Sequence, residues 1–284
     1  MIRLSFSYDV FIPNHHLLYL TGLPCSGMGF LTQLLAQHPD IHGNHSRSAL
    51  CDFLVNFRAF VSTHPQVINH LNQQFNPTME RSLSAIRGFI NGWFEQISEP
   101  WIVDIHPQWL QHLELINLLD PNCRMVVCVR ELGQICGAIE TQQQKTLLLD
   151  FPEKLASLSR ADRATQLFLP QGVVGSFLQS LEQLQDLDET LQQKIFYVVY
   201  EHLISNPKEV LTELINWLNL APISPDLTKI NFPLPSYSES GGKYVEETYN
   251  PHQPLVYYTL PKRFEVTIQQ NFTWFYRIFY PGRL

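Results

Sequence analysis

The stretch Leu17-Leu-Tyr-Leu-Thr-Gly-Leu-Pro-Cys-Ser-Gly-Met-Gly-Phe-Leu-Thr-Gln-Leu-Leu-Ala-Gln37 decides the fold. Leu17 to Leu20 is an apolar run of the length of a short buried strand. Gly22 and Gly27, four residues between them, turn that strand into an amphipathic helix with Phe30, Leu31, Leu34 and Leu35 on one side. Strand, glycine-spaced turn and helix N-terminus together cradle a phosphate, because free backbone N–H groups and the positive end of the helix dipole converge on the anion. A nucleotide-hydrolysing P-loop places Lys and then Ser or Thr directly after the second glycine. Here those positions are Met28 and Gly29, so the kinase or NTPase reading lacks both its cation and its metal-binding hydroxyl.

Working outward, short apolar strands alternate with helices. Trp101–Ile105, Arg124–Arg130 and Ile195–Tyr200 read as further strands. His38–Gly43 reads as a break, followed by a helix with Ser46 as cap and Leu50, Leu54, Phe57 and Val61 on one face. A second helix starts near Pro77 and carries Ile86, Phe89, Ile90 and Trp93. Helices are expected over about 132–146, 172–187 and 261–278, and on Val210, Leu211, Leu214, Ile215 and Leu218. Residues 221–258 read as a long excursion. This alternation predicts an α/β three-layer sandwich, a central mostly parallel sheet covered on both faces, in one domain over 1–284. Ligands in such sheets bind at the carboxyl ends of strands, where Gly22, Asp104, Arg130 and Glu201 fall.

Composition narrows the function classes. The net charge of −7, with few and scattered basic residues, does not suit a nucleic-acid partner. Five cysteines without a CxxC pair suit a reducing compartment, so a cytoplasmic protein is expected. No signal peptide is read in Met1–His16, and no apolar run reaches the roughly 18 residues of a membrane span.

Motif order along the chain resembles the PAPS-dependent sulfotransferase family, bacterial in type. The resemblance rests on Thr21-Gly-Leu-Pro-x-Ser-Gly-x-x-Phe-Leu with the following Leu-Leu-Ala-Gln-His-Pro-Asp40, and on Arg124-Met-Val-Val-Cys-Val-Arg130-Glu. It continues in Val198-Val-Tyr-Glu-His-Leu-Ile-Ser-Asn-Pro-Lys-Glu-Val-Leu211 and in Leu260-Pro with Trp274-Phe-Tyr. It implies a P-loop-like fold that moves a sulfuryl group from PAPS, 3′-phosphoadenosine 5′-phosphosulfate, to a hydroxyl or amine without a metal. The implied cofactor-binding residues are Cys25, Ser26, Gly27, Met28 and Gly29 at the 5′-phosphosulfate, and Arg130 at the 3′-phosphate. A base stands in the loop after Trp101–Ile105, where His106 is the candidate, because a strand-end imidazole suits proton abstraction.

The chain departs from the family where the chemistry sits. The family has Arg or Lys at the position of Cys25, Ser or Thr at Met28 and Gly29, and Ser at Ala138. Its polar pair with an Arg is replaced by Asp104-Ile-His-Pro-Gln108, and the C-terminal basic cluster is reduced to Gly241-Gly-Lys243. Losing one transition-state donor of this kind costs roughly 10²–10³ in rate. The alternative is therefore a catalytically inactive member serving as a binding or scaffold module. Cys25 at a helix N-terminus has the position of a reactive thiol. A Cys-x5-Arg phosphatase loop, however, needs Arg at position 31, which is Leu31, and the plainer reading is a small residue. Glu201 after Tyr200 reads as a loop-holding residue, and Gly172-Val-Val-Gly175 as close helix packing. The regions 44–98 and 221–258 are aromatic and poor in charge, which points to an uncharged or small apolar acceptor.

Overall fold

The computed structural model describes residues 15–43, 48–145, 158–230 and 258–283. Strands β1 (His16–Gly22), β2 (Ile41–Gly43), β3 (Trp101–Ile105), β4 (Arg124–Val129) and β5 (Ile195–Val199) form one sheet in the order β2-β3-β1-β4-β5. All four pairings are parallel, with Tyr19 opposite Asp104 and Gly22 opposite Cys128. The α/β expectation with a parallel sheet therefore holds, and β1 is its centre.

Alternation along the strands splits the core into two layers, because successive side chains of a strand leave opposite faces. Leu17, Tyr19, Ile102, Met125, Val127 and Val129 pack to one side, against α2 (Leu50–Thr63), α4 (Phe75–Trp93), α5 (Leu113–Leu119), α6 (Leu132–Lys145) and the C-terminal helices. Leu18, Leu20, Val103, Ile105, Val126 and Cys128 pack to the other, against α1 (Met28–Leu35) and the helix Pro207–Trp217. Near-continuous apolar strands are what a sheet buried on both faces requires. Among the described residues no helix is long and apolar enough to cross a membrane.

Three local expectations need correction. Ile41–Gly43, read as part of a break, is the edge strand β2, paired to β3 alone. A three-residue strand is too short to show periodicity. Helix α3 (Pro65–Gln73) stands between α2 and α4, and α4 begins at Phe75 rather than near Pro77. The closing helix is two, α12 (Lys262–Asn271) and α13 (Thr273–Phe279), numbered after α7 (Arg160–Phe168), α8 (Gly175–Gln185), α9 (Glu189–Gln192), α10 (Tyr200–Ser205) and α11 (Pro207–Trp217). The break falls at Phe272, whose φ of −122° and ψ of 40° lie outside the helical region. Ser46 and Lys243 lie outside the described residues; at the start of α2, the hydroxyl of Ser48 accepts the Leu50 N–H.

The C-terminal helix is pinned to the strand ends by two tyrosines. Tyr276 donates its hydroxyl to Glu131 at 2.6 Å and Tyr280 donates to Glu201 at 2.7 Å. Burial and the facing carboxylates push both phenols well above their ordinary range. Glu201 also accepts the Glu131 N–H at 3.3 Å, so it holds loop and helix together. Tyr276→Phe removes a charge-assisted donor from a buried carboxylate and is expected to lower stability by about 1.5–3 kcal/mol in urea denaturation. An unchanged midpoint would show that Glu131 is satisfied without it. The Gly172 and Gly175 reading also holds: a Cβ at either would stand 2.3 Å or 1.9 Å from a backbone oxygen of the preceding segment.

Candidate active site at the carboxyl ends of β1, β3 and β4

The sheet order makes β1 the point from which connections leave in both directions, and the loop after β1 lies at its carboxyl end. Gly22 presses against β4, where a Cβ would meet the Cys128 carbonyl oxygen at 2.2 Å. The Leu23 N–H donates to that same carbonyl at 2.9 Å. Cys25 and Gly27 both adopt positive φ, 57° and 87°, and so wind the chain into the start of α1. Only glycine does this without strain. Gly27 has a second constraint, since a Cβ there would meet the Tyr200 ring at 2.8 Å.

The loop's side chains turn inward. Cys25, Ser26 and Met28 are buried, and the Ser26 hydroxyl donates to the Leu23 carbonyl at 2.6 Å. The N-terminal N–H groups of α1 have no acceptor within their own helix. Position 138 also faces inward: Ala138 is buried in the core. On the same helix, Gln134 exchanges two hydrogen bonds with the backbone of Tyr258, at 3.0 and 2.8 Å. That residue covers Gly137, where a Cβ would be 2.1 Å from the Tyr258 side chain.

Arg130 follows β4 and is 1 % exposed. Its guanidinium donates to the Cys25 carbonyl at 2.9 Å and lies 4.2 Å from the centre of the Tyr200 ring. A buried cation costs free energy unless polar groups meet it, and the Cys25 carbonyl of the loop is one such group. The charge thus sits directly behind the turn and fixes the peptide after the left-handed Cys25.

The third corner is the end of β3. The His106 N–H donates to the Leu20 carbonyl at 3.1 Å, continuing the pairing with β1. The Thr21 hydroxyl donates to the Pro107 carbonyl at 2.7 Å and accepts the Leu110 N–H at 3.1 Å, which locks the turn Pro107–Gln111 beside the loop. His106 is buried; its Nδ1 accepts the Gln108 N–H at 3.1 Å, and its Nε2 lies 3.4 Å from Oδ2 of Asp52. Asp104 is also buried, accepting the Trp109 indole N–H at 2.7 Å and bonded to the Ser48 hydroxyl. Burial pushes its carboxyl up to about 6 despite those two bonds. Neither Asp52 nor the role of Ser48 was legible from the chain alone. An acidic residue in a first helical turn reads as a partner of the helix dipole, and nothing local ties it to a histidine on a distant strand.

The five sites named from sequence in the loop, together with Arg130, gather around one turn, and His106 borders it through β1. Solved structures to which the chain is similar include the sulfotransferase domain of the Synechococcus PCC 7002 olefin synthase, 17% identical, covering 94% of this chain and 97% of its own, with a TM-score of 0.49. The sulfotransferase domain from the curacin biosynthetic pathway is 18% identical over 76% of this chain and 79% of its own, TM-score 0.46. A sulfotransferase from Alicyclobacillus acidocaldarius is 16% identical over 79% and 87%, TM-score 0.47. Among curated protein sequences none matches. The sulfotransferase family model matches residues 18–225, from the first strand through the loop, Arg130 and α11, and the chain belongs to the sulfotransferase family.

Proposed function

We propose that this protein transfers a sulfuryl group from PAPS to a hydroxyl or amine of an uncharged acceptor. The observation that carries the reading is the loop itself: a left-handed Cys25 and Gly27 at the end of the central strand, with the Arg130 guanidinium bonded to it from behind. The residues present fit an anion through backbone rather than side chains. The N–H groups of Ser26, Gly27 and Met28 would hold the phosphosulfate, and the buried Arg130 would lend the positive field that a loop Arg or Lys lends elsewhere. When bound, PAPS supplies an activated sulfuryl group. The chain supplies the cradle, the cation and, at the end of β3, groups that can take a proton.

The acceptor side is aromatic. Phe53 stacks on Phe89 with ring centres 3.7 Å apart, and Phe89 meets Trp93 at 5.4 Å. Phe53 and Trp93 remain exposed, Phe53 next to Asp52 on α2 and Trp93 at the end of α4. Exposed ring faces of this kind favour an apolar or aromatic alcohol over a polyanionic glycan.

Calorimetry with adenosine 3′,5′-bisphosphate, the desulfated product, tests the donor side. Saturable binding is expected, and silence at millimolar ligand removes the reading. A binding module without turnover is the second reading, favoured by the inward-turned Cys25 and Met28. It predicts that the native chain does not turn over PAPS and that Cys25→Arg with Gly29→Thr raises nucleotide affinity by at least about tenfold, one charge-assisted contact or more.

A further inference from the structure

A backbone amide can only donate, so the Gln108 N–H at 3.1 Å from His106 Nδ1 fixes that nitrogen as an acceptor. The neutral imidazole therefore carries its proton on Nε2, which lies 3.4 Å from Oδ2 of Asp52. A ring in this tautomer has one lone pair, already engaged by the turn it caps. It is also wholly buried. To take a proton from an acceptor it would have to surrender the cap or already have lost its own proton. Asp52 has neither restriction: its side chain is 53% exposed.

Asp52 is also held in place. The Ser48 N–H donates to the Ile105 carbonyl at 3.0 Å, and the Ser48 hydroxyl accepts the Leu50 N–H at 3.0 Å while bonding Asp104. The first turn of α2 is thus fastened to the end of β3 on one side of Asp52, and His106 holds the carboxylate on the other. Through the bond from His106 N–H to Leu20, the pair is tied to the strand that opens into the loop.

We propose that Asp52 is the group that receives the acceptor's proton and that His106 is the positioning residue that orients it, a step that rests on the sulfuryl-transfer reading above. The acceptor's O–H bond breaks and its proton goes to a carboxylate oxygen of Asp52. The oxygen's electron pair forms the new O–S bond. The bond from sulfur to the bridging oxygen breaks, and its pair stays on the departing nucleotide phosphate. Nε2 of His106 keeps its proton throughout, and the ring holds the carboxylate of Asp52 beside it by proximity of charge and dipole.

Two measurements test this. By nitrogen NMR of histidine-labelled protein, His106 is expected as the Nε2–H tautomer, with an Nε2 signal that moves in Asp52→Asn. With PAPS as donor, transfer to benzyl alcohol needs a base, whereas transfer to 4-nitrophenol above its own pKa does not. The ratio of the first rate to the second is expected to fall about 10²-fold or more in Asp52→Asn, with part of it restored by Asp52→Glu. An Nδ1–H tautomer, an Nε2 signal of His106 unmoved in Asp52→Asn, or a ratio unmoved in Asp52→Asn while the native protein transfers to both, overturns the role of Asp52 and leaves sulfuryl transfer standing. If the native protein transfers to neither acceptor, sulfuryl transfer fails and the proton step falls with it, whatever the tautomer.

Discussion

Arg163→Ala is expected to lower the unfolding free energy by about 3 kcal/mol, the lower end of what breaking a buried ion pair costs. Glu140 on α6 is 1% exposed, yet it carries a carboxylate. Arg163 on α7 meets it as a fork, Nε to Oε1 and Nη2 to Oε2, both at 3.1 Å, and also donates to the Leu158 carbonyl at 2.7 Å. The carboxylate in turn raises the already high pKa of the guanidinium. Removing the arginine takes two charge-assisted bonds from a buried carboxylate, and the desolvation cost of that group dominates over the lost attraction. The lower end of the range applies because Arg163 keeps 20% of its side chain in water, so solvent can partly fill the vacated fork. The pairing makes a second expectation: Arg163→Met with Glu140→Leu should recover most of the loss, since apolar packing can replace a buried pair. Urea denaturation of the two variants checks both. A single-variant loss below about 1 kcal/mol would put the pair in the class of surface bridges. Because α6 begins just after Arg130, the pair also fastens the helix whose start carries the site's buried cation.

The elements that the sequence made legible are those whose periodicity is long or whose burial is complete. β1, β3, β4 and β5 are apolar runs because both faces of the sheet are covered, and the loop was legible from Gly22 and Gly27 together with the motif resemblance that flanks them. What stayed hidden depends on tertiary partners. β2 exists only because Ile41–Gly43 can pair with Trp101–Val103 across the sheet edge. The position of Arg130 at a strand end was readable, but its direction was not: the guanidinium turns to the Cys25 carbonyl and the Tyr200 face. His106 was readable as a strand-end histidine, yet its tautomer is set by the N–H of Gln108, two residues on, and its partner by a helix distant in sequence. Local pattern locates such groups; packing decides what each can do.

Asp104→Asn should remove a slope in stability of about 3 kcal/mol between roughly pH 4 and pH 6, at about 1.36 kcal/mol for each pH unit of the interval. Asp104 is buried between Trp109 and Ser48, and burial raises its carboxyl from 3.8 to about 6 in the folded state. Between those values the folded chain holds a proton that the unfolded chain has released. Stability then falls as pH rises through the window and is level above it. Asparagine keeps an oxygen for the Trp109 indole, and its amide can donate to the Ser48 hydroxyl, which still has a lone pair beside the one that caps Leu50. The variant is therefore expected to fold with the same anchors and without the titration. Asp120, whose carboxyl burial also raises, contributes its own slope to both proteins and cancels in the difference. Urea denaturation of native and variant protein at steps across this range gives the difference directly. A gap between them that stays constant with pH would mean that Asp104 is ionised throughout, stabilised by Ser48 and Trp109 more than burial opposes it. A gap that closes as pH falls would identify the carboxyl as the group that loosens the α2 anchor at neutral pH. That anchor is where Asp52 stands, so the same titration should alter the NMR signals of His106 over the same interval.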